Sequence, residues 1–147
     1  MDMTQNKFST SGFTLIELLI VVAIIGLVSA MYLVSFNDPI KEASLDASYA
    51  SVLTAIESAR HKSVSGVGDS PFGVTVDGNT ISTFRVGDEG QSIHKIVLPA
   101  SVTTTSDFST TTFQRISGQT GQSGELILTD TSGNTRTITI TADGYVY

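Results

Sequence analysis

Residues 13–36 read FTLIELLIVVAIIGLVSAMYLVSF, and this stretch decides what the rest of the chain has to be. From Leu18 to Phe36 nineteen consecutive residues carry no charge, and most are Leu, Ile, Val or Ala. A run of that length matches the roughly twenty residues that cross a bilayer as a helix. No proline interrupts it before Pro39, so one continuous helix is expected. Glu17 is the anomaly, because an ionisable group costs on the order of 2.5–3.5 kcal/mol near the centre of a bilayer. Two readings stand: Glu17 snorkels to the interface, or it meets a cation. If the chain is cut after Gly12, the new α-amino group sits on Phe13, and Glu17 follows four residues later on the same helical side. A carboxylate then meets an amine, within one chain or between neighbours.

On the N-terminal side, Met1 to Gly12 is short and polar and ends in Ser9-Thr10-Ser11-Gly12, which reads as a leader or a loose tail. A secretory signal would be cleaved after its apolar core, where Ser29-Ala30-Met31 imitates a cleavage site. Cleavage before the apolar stretch would instead leave it as a permanent anchor. On the C-terminal side, Asn37-Asp38-Pro39 supplies a break or bend from which a helix restarts, with Asp38 as a cap and Pro39 at a first helical position. Leu45, Tyr49, Val52, Leu53 and Ile56 then recur at spacings of three and four, which puts them on one helical face. Ala43, Ser44, Ala47, Ser48, Ser51, Ala55 and Ser58 make up a small opposite face, and the element ends between His61 and Gly66. If both halves are helical, the whole runs about fifty residues and roughly 75 Å.

From Val64 to Tyr147 Ser and Thr become abundant, glycines punctuate and apolar residues alternate, the pattern of β structure. Residues 72–76 and 80–86 flank Asp77-Gly78-Asn79, and residues 125–129 and 135–141 flank Asp130 to Asn134; both read as hairpins. Residues 93–98, 102–105, 111–116 and 144–147 are further strand candidates. Ile138 and Ile140 point one way and the threonines the other, so one face is buried under the amphipathic helix.

The chain carries 8 Lys+Arg against 14 Asp+Glu, a net charge of −6, which argues against a protein built to neutralise phosphates. It has no cysteine, so disulfides, thiolate metal sites and cysteine nucleophiles are excluded. His61 and His94, its two histidines, stand in no motif. Gly66-Val67-Gly68 lacks the residues of a phosphate cradle, and Ser123 misses the nucleophile-elbow spacing. Asp77 with Asn79, and Asp130 with Asn134, imitate calcium loops, but both pairs fall at turns that want Asp, Asn and Gly for backbone reasons. No enzyme activity, cofactor or metal site is expected.

The segment Ser11-Gly12-Phe13-Thr14-Leu15-Ile16-Glu17-Leu18-Leu19 resembles the class III leader and N-terminal helix of type IV pilins and type II secretion pseudopilins. The resemblance implies that a prepilin peptidase cuts between Gly12 and Phe13, that Phe13 is then N-methylated, and that Glu17 docks the subunit onto a growing filament. It also implies an inner-membrane assembly platform, membrane lipid and other pilin or pseudopilin subunits as partners. The head is similar to that of H-type minor pseudopilins and FimT-like minor pilins: Ala59-Arg60, a hairpin, Phe113-Gln114-Arg115, a Gly-rich loop, and two strands ending in Ala142-Asp143-Gly144-Tyr145-Val146. Two departures bear on subtype. The first proline is Pro39, later than in many pilins, and the C-terminal disulfide loop of many major pilins cannot form.

The fold expected is α+β and pilin-like: a long N-terminal helix, membrane-spanning in its first half and amphipathic in its second, packed on an antiparallel β-sheet head. Residues 1–12 form the leader, 13–36 the transmembrane or filament-core helix, 37–64 the amphipathic half and 65–147 the head, with Leu45, Tyr49, Val52 and Ile56 packing helix on head. The chain is expected to cross the inner membrane once with its head outside the cytoplasm, then to enter a pilus or a periplasmic pseudopilus. The alternative is a single-span anchored domain that binds a ligand or DNA. After Gly66 the head holds Arg85, Lys95, Arg115 and Arg136 against eight acids, a field that repels nucleic acid.

Overall fold

A computed structural model describes residues 12–35, 37–88 and 91–147, with the side chains of 31–38 left aside. Residues 1–11 of the expected leader, and Phe36 of the expected span, therefore lie outside the described residues. The chain divides after Asn37 into two units. The first contains helix α1, Leu15–Ser35, a proline-free apolar run that satisfies its backbone internally. Thr14 opens it: the Glu17 N–H donates to the Thr14 side-chain oxygen at 3.3 Å and to its carbonyl at 3.1 Å. That is N-capping, which satisfies one of the donors left free at a helix start. Among the described residues no helix is long and apolar enough to cross a membrane. The expected span over 13–36 is thus not met within them.

Helix α2 spans Asn37–Val64. Pro39 stands in its first turn, where a missing N–H costs no helical bond. Seven strands follow: β1 Phe72–Asp77, β2 Thr80–Arg85, β3 Ser92–Val97, β4 Val102–Ser106, β5 Thr110–Phe113, β6 Gly124–Asp130 and β7 Thr135–Ile140. They form two antiparallel sheets, one of order β3-β2-β1-β5 and one of order β4-β6-β7. The β1–β2 turn is tighter than expected, because Asp77 already pairs with Thr80 and only Gly78 and Asn79 remain outside the ladder. Gly78 takes φ 52°, the left-handed value such a two-residue turn needs. The last four residues are not a regular strand. Val146 forms an isolated bridge to Ile140, and Tyr147 exchanges backbone hydrogen bonds with Thr139.

One core joins α2 to both sheets. Leu45, Val52, Ile56 and Ala59 of α2 are buried with Phe72, Val74, Ile81 and Phe113 of the larger sheet and Val102, Leu126, Leu128, Ile138 and Ile140 of the smaller. Tyr49 and Leu53 pack against this cluster half-buried. Burial of each large side chain contributes roughly 1.5–3 kcal/mol. Ser48 and Ala55 were expected on the opposite, small face, yet both are buried. Residues 45, 48, 52, 55, 56, 59 and 63 make the true inner stripe, and its small members let the helix lie close on the sheets. The buried hydroxyls are satisfied: Ser48 donates to the Ser44 carbonyl at 2.7 Å, and Ser63 Oγ accepts from the Phe72 N–H at 2.8 Å.

Candidate functional site

The residues of the N-terminal motif lie together in the first unit. Gly12 and Phe13 are non-helical, Thr14 caps, and Glu17 is the third residue of α1. No described atom lies within 4 Å of where a Gly12 side chain would stand. Phe13 is 82% exposed, Glu17 is exposed, and every large apolar side chain from Leu15 to Val28 is exposed around the whole circumference of α1. A helix apolar on all sides is stable only when something else covers it, lipid or other helices. No described hydrogen bond or ion pair engages the Glu17 carboxylate.

Thr14 was quoted in the motif but given no part in it. The signal was present, because Thr14-Leu15-Ile16-Glu17 has the spacing of a capping box, with a carboxylate at the third helical position. A carboxylate there is also favoured by the positive end of the helix dipole. The segment therefore has two local properties: a non-helical, exposed Gly12-Phe13 pair, and directly after it a capped helix start that presents Glu17.

Leu45, Tyr49, Val52 and Ile56 lie in the second unit, in the core described above. One recess of that unit, about 590 Å³, is lined by Thr54, Glu57, Ser58, Arg60, His61, Tyr145 and Val146. No described hydrogen bond joins Glu57, Ser58 and His61 into a relay, and Arg60 stacks on Tyr145 at 5.3 Å. Among the described residues no group of three metal-binding side chains converges. At the β6–β7 turn the Asp130 carboxylate is taken up by backbone N–H groups of Ser132 and Asn134, at 2.8 and 2.9 Å, and by the Asn134 amide at 2.8 Å. Burial pushes this carboxyl up, but hydrogen bonds from Asn134, Ser132 and Gly133 outweigh it and hold its pKa below the ordinary 3.8. The carboxylate serves the turn.

The architecture is therefore that of a pilin-like α+β protein, an apolar N-terminal helix accompanied by a helix packed on antiparallel sheets. Residues 7–33 match the prokaryotic N-terminal methylation motif. The fold is similar to that of the minor pseudopilin EpsH from the type 2 secretion system of Vibrio cholerae, with a TM-score of 0.58 and 11% sequence identity over 71% of this chain and 94% of that one. No curated protein matches the chain in sequence. The motif bears out the resemblance of the N-terminal segment to prepilins, and the fold bears out that of the head to the H-type minor pseudopilins.

Proposed function

We propose that the chain is a non-enzymatic structural subunit of a type IV pilus or type II secretion filament. It is stored in the cytoplasmic membrane through its apolar N-terminal stretch, cut by a prepilin peptidase between Gly12 and Phe13, and methylated on the new Phe13 amine. It then enters a filament through α1, on an assembly platform and beside other pilin or pseudopilin subunits. The observation that carries this reading is α1 itself: an apolar surface with no cover in its own unit, started by a capped turn directly after an accessible Gly12-Phe13 bond, within a methylation motif. The sequence supports lipid as the first cover, because the uncharged run continues to Phe36. Neighbouring helices replace lipid on assembly, and the Glu17 carboxylate pairs with an N-terminal amine. An ordinary anchored ligand-binding domain needs neither Gly12 nor a free Phe13, so processing discriminates the two readings.

The test is intact mass and N-terminal sequencing of the protein isolated from its host membrane. The expected mature chain begins at Phe13 with one added methyl group, and replacing Gly12 by a bulkier residue leaves the precursor uncut. A mature terminus at Met1, or one after Ala30, would overturn the proposal.

A further inference from the structure

The seven strands present four sheet edges, and the fold treats one of them differently from the other three. The outer edge of β4 is met by the β1–β2 turn, with the Asn79 amide donating to the Val102 carbonyl at 2.6 Å and the Thr104 hydroxyl to the Gly78 carbonyl. The outer edge of β7 is stitched to the C-terminal residues through Thr139 and Tyr147, and through Thr141 and Tyr145. Beside β5 runs the segment 122–124, which shares a small recess with Thr110 and Thr111. The outer edge of β3 has no such neighbour. Among the described residues the backbone of 92–97 pairs with β2 alone, and every side chain of the strand is exposed except Ile96, which is half-buried. An unpaired edge of this kind is a template for another strand, which is why proteins ordinarily cover it.

Two further observations say what would fit. First, β3 flanks α2 across a shallow groove lined by Ser51, Thr54, Ala55, Lys62, Ile93 and His94 and continuing past Lys95 and Ile96. A register shift opposite Thr83 and Phe84 makes Ile93 an extra residue, so that Ile93 and His94, although consecutive, both border the groove. From His94 to Val97 the pairing with β2 is regular, so the outer edge there is straight enough to be extended. Second, the charge is wrong for the chain as a whole. In a protein of net charge −6 the described lining of this groove holds Lys62, His94 and Lys95 and no acidic residue. Antiparallel pairing of two copies of β3 about Lys95 would set the two lysines directly opposite one another, a like-charge juxtaposition.

We propose that the free edge of β3 is a strand-addition site for an extended, acidic segment of a partner protein. The partner's backbone would continue the larger sheet beyond β3, with its carboxylates on the α2 side, facing His94 and Lys62. Its alternate, apolar residues would lie on the other side, against the stem of Lys95 and against Val97, which is 67% exposed. The inference goes beyond the filament reading and does not depend on it, because it concerns the second unit and needs neither cleavage nor methylation.

The test uses the full-length, uncleaved chain in detergent micelles and a fluorescent peptide of alternating valine and glutamate, read by anisotropy. Three comparison probes are the same peptide with alternate backbone amides N-methylated so that one edge cannot donate, a valine–lysine peptide, and a mixed-sequence DNA duplex. The glutamate peptide is expected to bind and to slow amide hydrogen exchange in β3. N-methylation, or the surface substitution Lys62→Glu, is expected to weaken it by about tenfold or more, a loss of about 1.4 kcal/mol. Equal binding of the methylated peptide would overturn backbone pairing, and equal binding of the lysine peptide would overturn the charge argument. Displacement of the peptide by the duplex would make the groove a nucleic-acid site, and no binding at all would dismiss the site. None of these outcomes touches the mature N-terminus, so failure here leaves the processing result to stand or fall by itself.

Discussion

Arg136 of β7 places its Nε 2.8 Å from Oδ1 of Asp46 on α2, and a second guanidinium nitrogen lies 3.5 Å from Glu42 one helical turn away. Arg136 shares its side of β7 with Ile138 and Ile140, which are buried, so the ion pair continues the helix-to-sheet seam outward where the core ends. Its side chain is 35% exposed and the acids are more so, which keeps the pair in well-screened surroundings. Replacing Arg136 by Ala should therefore destabilise the head by no more than about 1 kcal/mol. The loss should shrink with added salt, and a double-mutant cycle with Asp46→Ala, read by thermal unfolding of the full chain in detergent, should recover most of it. A loss of several kcal/mol that is indifferent to salt would mean that Arg136 acts through packing of its stem.

Two glycines with left-handed backbone should respond very differently to alanine. Gly78, at φ 52°, has nothing within 4 Å of a built Cβ, so Gly78→Ala should cost only the strain of that conformation, about 1 kcal/mol. Gly144, at φ 83°, would drive its Cβ into the Gly118 carbonyl oxygen, a backbone atom that cannot swing away. Gly144→Ala should cost at least about 2–3 kcal/mol and loosen the C-terminal stitch on β7. Comparable melting temperatures for the two variants would refute the contact.

Asp130 gives the head an acid-side weakness. Its carboxyl titrates below the ordinary value when folded, so the ionised form contributes stability above the unfolded value of about 4. That contribution is lost as pH falls through the folded value. Asp130→Asn sets an amide against donors that need an acceptor, and should lower stability at pH 7. The gap between variant and wild type should then narrow as pH drops from about 5 toward 3. Thermal midpoints across that range decide it, and a gap independent of pH would mean that the turn depends on shape and not on charge.

What the sequence made legible was local. The apolar run from Phe13 and the hairpin at Gly78-Asn79 are each written in adjacent residues whose propensities agree. Pairings between distant segments were not legible: β5 returns to β1, and β4 crosses to β6, because both satisfy a shared core that no local pattern encodes. Ser48 and Ala55 misled for a related reason. Polarity and smallness suggested an outer face, whereas close approach of helix to sheet rewards small side chains once a hydroxyl has its own helix carbonyl to bond. At the N-terminal segment, Gly12, Phe13 and Glu17 lie within the matched motif, and the cap by Thr14 was missed although its spacing to Glu17 was in plain view.

In the proposed assembly, Glu17 is the residue on which the mechanism turns. Its backbone N–H is held by Thr14, so the start of α1 does not require the carboxylate. In the precursor the negative charge gains at most a modest favour from the helix terminus, about 0.3–1 kcal/mol, against a larger cost if the segment sits deep in lipid. Removing it should leave membrane insertion and cleavage intact, so Glu17→Ala and Glu17→Gln should both yield normal amounts of mature chain. Neither should enter filaments, because an amide matches the size of the carboxylate but cannot pair as an ion with a neighbour's Phe13 amine in an apolar surrounding. Thr14→Ala separates the two functions of the segment. It loosens the cap by about 1 kcal/mol, keeps the charge, and should still assemble. The measurement is the ratio of each variant in sheared filaments to that left in the membrane fraction. Normal incorporation of both Glu17 variants would reduce the residue to an interfacial carboxylate, and failure of Thr14→Ala alone would shift the assembly role from charge to the shape of the helix start.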